Sequence, residues 1–493
     1  MHTYARLVLL LTLALAALAA GIVAFAAPPA LLFTLNTANP QAGGQFGNSL
    51  AVGDVNGDSK GDIAVGAYQE DVGGPLDQGR AYVFSGANGS LLFTLDTPNP
   101  RPGGYFGSSV AVGDVNGDGE GDIAVGASQE DQGRAYVFSG ANGSLLFALD
   151  TPNPQTNACF GFSVAVGDVN GDGKADTAVA AIDEEVGGNA DQGRGYVFSG
   201  ADGSILFALD TPNPQGWAWL GFSVAVGDVN GDAKADIAAG APGEDVSGNA
   251  SQGRAYVFSG ADGSLLFTLD TPNPQAYASF GLSVAMGDVN GDTKRDIAVG
   301  AHAALVGGNA GQGQAYVFSG ADGSLLFTLD TANPQTNASF GGSLAVGDVN
   351  GDAKRDIAVG AHGALVGGNA YQGRAYVFSG ADGSLLFTLD TPNPQAYAEF
   401  GMSVAVGDVN NDGNGDIAAG GWREDEGGND MQGRAYVFSS PPLPPVGGVA
   451  ELPDVAQSGD SSAATYAALA GGLAAALVAL TAGAWYARRR WGR

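Results

Sequence analysis

The tetrapeptide Gly-Asp-Val-Asn occurs seven times, with its Asp at 54, 114, 168, 228, 288, 348 and 408. Successive spacings are 60, 54, 60, 60, 60 and 60 residues. A period in this range means a supersecondary unit that buries its apolar face only by stacking on its neighbours, as in a solenoid or a propeller. Each unit divides by pattern into four short strands. In the fifth they are Ser283-Val284-Ala285-Met286-Gly287, Ile297-Ala298-Val299-Gly300, Ala315-Tyr316-Val317-Phe318 and Leu325-Leu326-Phe327-Thr328-Leu329; we call them A, B, C and D. Gly320-Ala321-Asp322-Gly323 between C and D is a hairpin turn signal. Glycine, 81 of 493 residues, has no triplet period, so it marks turns rather than a collagen helix. Four antiparallel strands per repeat predict an all-β, seven-bladed propeller over residues 27–440, whose closure hides the sheet edges.

Counting strands supports a closed ring. Seven Tyr-Val-Phe strands end at Tyr436-Val437-Phe438, and no D strand follows. The first D-type strand, Leu31-Leu32-Phe33, precedes any A strand. The N-terminal strand Leu31–Leu35 is therefore expected to complete the seventh blade. The second unit is six residues short, all lost between strands B and C, as a surface loop tolerates.

Each A–B connection places oxygen side chains at positions 1, 3, 5 and 9. These are Asp54, Asn56, Asp58 and Asp62; Asp114, Asn116, Asp118 and Asp122; Asp168, Asn170, Asp172 and Asp176; and Asp228, Asn230, Asp232 and Asp236. The remaining three sets are Asp288, Asn290, Asp292 and Asp296; Asp348, Asn350, Asp352 and Asp356; and Asp408, Asn410, Asp412 and Asp416. A tight turn carrying only hard oxygens suits calcium, which takes six to eight of them, better than strictly octahedral magnesium. Up to seven Ca²⁺ are expected. Position 7 varies (Lys60, Glu120, Lys174, Lys234, Lys294, Lys354, Asn414) and is expected to offer only its carbonyl. An EF-hand is disfavoured because position 12 is Val65 rather than Glu and the flanks have strand patterning.

Phe280-Gly281, Gly287-Asp288-Val289-Asn290-Gly291-Asp292 with Asp296, and Gly300-Ala301 together resemble the FG-GAP repeat of integrin α-subunit propellers and bacterial surface proteins; Gly240-Ala241-Pro242 gives the full Gly-Ala-Pro once. The resemblance covers residues 31–440 in seven copies and implies a seven-bladed propeller with calcium in the A–B loops. No leg-like segment separates the repeats from the apolar C-terminal run, so an integrin subunit is not expected.

The ends predict an address. Residues 1–26 carry His2 and Arg6, then the apolar run Leu7–Ala26 with Ala24-Phe25-Ala26, which fits a secretory signal; an uncleaved anchor is the alternative. Residues 441–462 are rich in Pro, Gly and Ser and form a linker, and residues 463–487 hold no charge and suffice for a transmembrane helix. The basic tail, residues 488–493 with Arg488, Arg489, Arg490 and Arg493, is expected to be cytoplasmic and the propeller outside. Leu452-Pro453-Asp454-Val455-Ala456 resembles a cell-wall sorting signal but departs at Val455 and Ala456, so a simple anchor is favoured over processing.

With 20 basic and 51 acidic residues the net charge is −31, which argues against nucleic acid as a partner. The lone Cys159 excludes an intrachain disulfide and reads as a half-buried thiol. Strand alternation puts A–B and C–D loops on one face of the ring, and B–C loops and D-to-A connections on the other. The second face carries the differences between copies, among them Trp217, Trp219 and Trp422, and is the expected ligand face for a protein or a glycan. The expected function is a calcium-binding, cell-surface adhesion or ligand-binding module, not an enzyme. The alternative, a polysaccharide-acting enzyme, would need carboxylates or histidines such as His302 and His362 gathered at the ring centre.

Overall fold

The computed structural model describes residues 28–441. Its 28 strands form seven four-stranded antiparallel sheets, each in the spatial order A-B-C-D. In the first blade these are Leu50–Gly53, Asp62–Ala67, Arg80–Phe84 and Leu91–Leu95. The A strands of successive blades pack side by side around a complete ring, the seventh returning to the first. No helix among the described residues is long and apolar enough to cross a membrane. The expected signal, transmembrane segment and basic tail, and all but the first residue of the linker, lie outside the described residues.

The ring closes where the strand count predicted. The seventh sheet runs Ser403–Gly407, Asp416–Gly421, Arg434–Phe438, Leu31–Leu35. Thr34 faces Tyr436 and Leu35 faces Ala435. In the first blade Thr94 faces Tyr82 and Leu95 faces Ala81, which is the same register.

The core lies between blades. Strand B is buried along its whole length, because neighbouring blades cover both of its faces. Its sequence is accordingly a near-continuous run of small and branched residues, Asp62-Ile63-Ala64-Val65-Gly66-Ala67. Gly66 is required: a Cβ there would lie 2.0 Å from the Gly107 carbonyl oxygen of the next blade. The Phe that opens each FG pair seats the A strand. Phe106 is fully buried, its ring 5.9 Å from both Tyr136 and Phe138 of strand C. In the fourth blade Leu220 takes that place. Burying one such ring contributes about 1.5–3 kcal/mol.

Polar staples fasten each blade to the next. The Ser49 hydroxyl donates to the Gly107 carbonyl (3.0 Å), and Ser403 donates across the seam to that of Gly47 (2.7 Å). Ser283 and Ser343 donate in the same way (2.8 and 2.9 Å), whereas Ser109, Ser163 and Ser223 accept, Ser163 from the Val224 N–H (3.1 Å). On the opposite face the Gly121 N–H donates to the Asp54 carbonyl (2.7 Å), and the same bond recurs around the ring, closing from Gly61 to Asp408 (2.7 Å).

Candidate functional site

The predicted metal loops are compact turns held by their own side chains. In the first loop Asp54 Oδ1 accepts the N–H groups of Gly57 (2.8 Å) and Asp58 (3.1 Å), and Oδ2 accepts that of Ser59 (2.8 Å). Asn56 Oδ1 accepts the Asp58 N–H (3.0 Å), and Asp58 Oδ1 accepts that of Lys60 (3.0 Å). Asp62 differs in kind. It is fully buried, its Oδ2 accepts from the N–H groups of Val55 (3.0 Å) and Asn56 (3.2 Å), and its Oδ1 accepts from Gly86 N–H (2.9 Å) at the start of the C–D turn. All seven ninth-position carboxylates make this link, to Gly86, Gly140, Gly200, Gly260, Gly320, Gly380 and Ser440. Burial raises the pKa of each, pushing Asp356 and Asp416 up to about 6.

Positions 1, 3, 5 and 9 of each loop carry hard oxygens of the kind calcium takes, here turned toward the loop's own N–H groups. Their lone pairs are shared with N–H donors. In the second loop the Asn116 amide NH₂ bridges Asp118 Oδ2 (2.9 Å) and Asp122 Oδ1 (3.2 Å), a partial positive charge between two carboxylates. Among the described residues no three His, Cys, Asp or Glu side chains form a group arranged to hold a metal ion.

On the other face, D-to-A connections lie along the B–C loops of the preceding blade: Trp217 N–H donates to the Ala190 carbonyl (2.8 Å) and Trp219 N–H to that of Asp191 (3.2 Å). The two tryptophan rings meet edge to face at 6.4 Å, with Trp217 61% exposed. Trp422 belongs to a second patch. It stacks on Tyr68 at 6.2 Å, donates from Nε1 to Glu399 Oε2 (2.9 Å), and carries the Arg423 guanidinium 4.8 Å above its ring. Glu399 Oε1 also accepts from Arg423 (2.8 Å).

Trp422, Tyr68 and Tyr105 form one wall of a cavity of about 590 Å³ at the mouth of the central channel, to which all seven blades contribute. Its carboxylate, Asp183, accepts from the Cys159 thiol (3.0 Å); burial pushes that thiol up to about 12, so it stays protonated and is no nucleophile. His302 and His362 each hold a buried Nδ1 without a hydrogen-bond partner. Burial, reinforced by His362, pushes His302 down to about 4, and burial lowers His362 too. Both rings are therefore neutral at pH 7.

One set of residues escaped sequence reasoning. Glu70, at the start of the first B–C loop, is fully buried and accepts from Tyr82 (2.6 Å), Thr37 (2.8 Å) and Asn39 (3.1 Å), with Arg80 beside it at 3.4 Å. Thr37 and Asn39 come from the connection out of the seventh blade's D strand, so the carboxylate latches one blade to the next. Glu130, Glu184, Glu244 and Glu424 repeat it. The signal was present: Glu recurs in five of seven B–C loops, and Thr-x-Asn-Pro in every connection.

Comparison with known proteins agrees with this architecture. The FG-GAP repeat model matches residues 46–84, 106–138, 160–198, 220–258, 280–318, 340–378 and 400–438. Integrin alpha-4 of Xenopus laevis is 30% identical over 214 residues, 40% of this chain and 20% of that protein. Integrin alpha-IIb of Mus musculus is 34% identical over 237 residues, 44% of this chain and 22% of that protein. The phosphatidylinositol-glycan-specific phospholipase D of Homo sapiens is 30% identical over 423 residues, 72% of this chain and 49% of that protein. The chain thus spans between a fifth and half of the length of these relatives. Seven matched repeats, each coinciding with an A-B-C group of strands, make this chain a member of the FG-GAP repeat family, with an integrin-α-like propeller.

Proposed function

We propose that the chain is a calcium-binding, membrane-anchored extracellular propeller that binds a protein or glycan ligand through the face of B–C loops and D-to-A connections. The observation that carries this reading is the asymmetry of the two faces. One repeats the same Asp-Asn-Asp turn seven times, while the other holds Trp217, Trp219 and Trp422 in single copies on a rigid ring. Calcium would be held by positions 1, 3, 5 and 9 with the position-7 carbonyl, and would neutralise carboxylates that otherwise repel one another. Anchoring and orientation rest on the uncharged run 463–487 and the arginines after it. The test is a glycan and protein array probed with the full chain in calcium. Binding lost in Trp217→Ala with Trp219→Ala, or in Trp422→Ala, at an unchanged melting temperature supports the reading; binding lost only on changing C–D turns such as Asp322-Gly323 reverses the faces.

An enzyme is the second reading, favoured by the match to a phospholipase D over 72% of this chain. That match covers 49% of the phospholipase, so the activity does not transfer by likeness alone. The polysaccharide-acting alternative called for several carboxylates or histidines at the ring centre, and the cavity there is lined by the one carboxylate of Asp183. Turnover of a phosphatidylinositol-glycan or a polysaccharide by the full chain, abolished by Asp183→Asn, would replace the binding reading.

A further inference from the structure

The loop face is not uniform around the ring. In five blades the B–C loop opens with an acidic pair: Glu70-Asp71, Glu130-Asp131, Glu184-Glu185, Glu244-Asp245 and Glu424-Asp425. In the fifth and sixth blades the pair is Ala304-Leu305 and Ala364-Leu365. These blades are neighbours, and Leu305 and Leu365 are each 51% exposed. Two adjacent blades thus exchange buried and exposed carboxylates for alanine and an outward leucine.

Aromatic residues bracket this sector. Tyr277, in the connection leading into the fifth blade, is 68% exposed, and Tyr397, leading into the seventh, is 59% exposed. Tyr397 stacks on Tyr371 of the sixth blade's B–C loop, centroids 5.6 Å apart and planes 13° from parallel. All three tyrosines have left-handed backbones, with φ of +61°, +63° and +52°. Four other copies fill the place of Tyr277 and Tyr397 with residues that suit this conformation, Gly43, Gly103, Asn157 and Asn337, while the connection into the fourth blade has Trp217; the place of Tyr371 holds Asp77, Asp131, Asp191, Ser251, Gly311 and Met431 in the other blades. Hydrogen bonds from Tyr277 N–H to the Ala250 carbonyl (2.7 Å) and from Tyr397 N–H to that of Ala370 (2.8 Å) hold the turns. A bulky ring that is both strained and exposed gives the fold no burial in return for its strain. Such an outlier marks function rather than stability.

We propose that the loop face of the fifth and sixth blades docks a protein partner whose apolar centre is flanked by basic residues. Charge selects that occupant. The sector carries Leu305, Leu365, Tyr277, Tyr371 and Tyr397, and exposed Asp245 and Asp425 stand on the blades either side of it. These two carboxylates put negative charge at the sector's edges, which favours a cationic rim on the partner. Leucine side chains stack no sugar ring, whereas they fill the desolvated centre of a protein interface. The proposal rests on the ligand-binding reading of this face.

The test is selection of a displayed random-peptide library on the full chain, followed by titration of the synthesised winners. Winners should combine aliphatic or aromatic residues with Lys or Arg, and bind more weakly as salt is raised. Leu305→Glu with Leu365→Glu should weaken them about tenfold or more, as should Tyr277→Asn with Tyr397→Asn. The asparagine pair relieves backbone strain, so its melting temperature should be equal or higher while binding falls. No enrichment, or binding within about twofold of the parent in both double variants, overturns the proposal. Binding lost instead in Trp217→Ala or Trp422→Ala moves the site elsewhere on the same face and leaves the broader reading standing. Binding lost only in Asp322→Ala and Asp382→Ala, in the C–D turns, removes both. Retention on a neutral polysaccharide that depends on Tyr277 and Tyr397, with no peptide enriched, makes the sector a glycan platform and refutes the protein partner.

Discussion

Leu35 and Leu269 make a matched pair for testing whether the N-terminal strand is a full member of the ring. Each is the last residue of a D strand, each is 2% exposed, and each faces an alanine of strand C, Ala435 and Ala255 respectively. Leu269 sits in a blade whose four strands are consecutive in sequence, whereas Leu35 reaches its partner across about 400 residues. Truncating a buried leucine to alanine costs about 2–5 kcal/mol, part of it lost transfer energy and part the cavity left behind. Because the surroundings match, Leu35→Ala and Leu269→Ala should both cost about 3 kcal/mol and agree within about 1 kcal/mol. Equilibrium urea unfolding followed by tryptophan fluorescence reads the two values. Hydrogen exchange over 31–35 and 434–438 reports whether the seam opens on its own. A cost below about 1 kcal/mol for Leu35→Ala beside about 3 for Leu269→Ala would mean the closing strand frays in solution, and would refute closure as a source of stability.

Calcium and structural roles separate within one loop. In EGTA, Asp236→Ala should destabilise the propeller by about 2–4 kcal/mol, because it orphans the buried N–H groups of Val229 and Gly260, while Asp232→Ala should cost under about 1 kcal/mol. Adding calcium should raise the melting temperature of the parent, and by less in Asp232→Ala; a parent melt indifferent to EGTA and calcium would remove the metal from these loops. His302, held near 4 against an ordinary 6.5, favours the neutral ring in the fold, so the unfolded chain takes up the proton first. That stability is present above about pH 6.5 and is lost toward pH 4, by up to about 3 kcal/mol; parallel stability-versus-pH curves for parent and His302→Gln between pH 7 and 5 would contradict it. Asn36→Asp gives Arg434, already paired with Glu426, a second carboxylate in the place that Asp270 holds beside Arg254, and should add about 0.5 kcal/mol, fading with salt; a drop in the urea midpoint would count against this pairing.

The parts of this fold legible in the sequence are those that repeat with a period. Strands A to D, the Asp-rich turns and the unmatched Leu31–Leu35 all appear as pattern, and the structure adds their register. Burial is where pattern ran out. Asp54, Asp58 and Asp62 look alike at positions 1, 5 and 9, yet Asp62 is fully buried and ties its loop to a C–D turn 24 residues away. Glu70 reads as one more surface acid of a polar loop, because its partners Thr37 and Asn39 belong to another blade. Strand B reads as half-buried because spacing does not say that a second blade covers its other face. The left-handed backbone at Trp217, Tyr277 and Tyr397 leaves no trace in composition, since glycine and asparagine hold those places only in other copies.

The seam between Leu31–Leu35 and Arg434–Phe438 sets a clock on synthesis. At about 5–20 residues per second, some 400 residues of chain emerge in about 20–80 seconds between the first strand and the one that pairs with it. Through that interval six blades have every strand they need, while Leu-Leu-Phe-Thr-Leu waits with no partner. An unpaired apolar strand is a template for another chain. The waiting strand is therefore exposed to other chains for most of the propeller's own translation. A permuted gene that moves residues 28–37 behind Ser440 would shorten the wait to about a second or two without changing any blade.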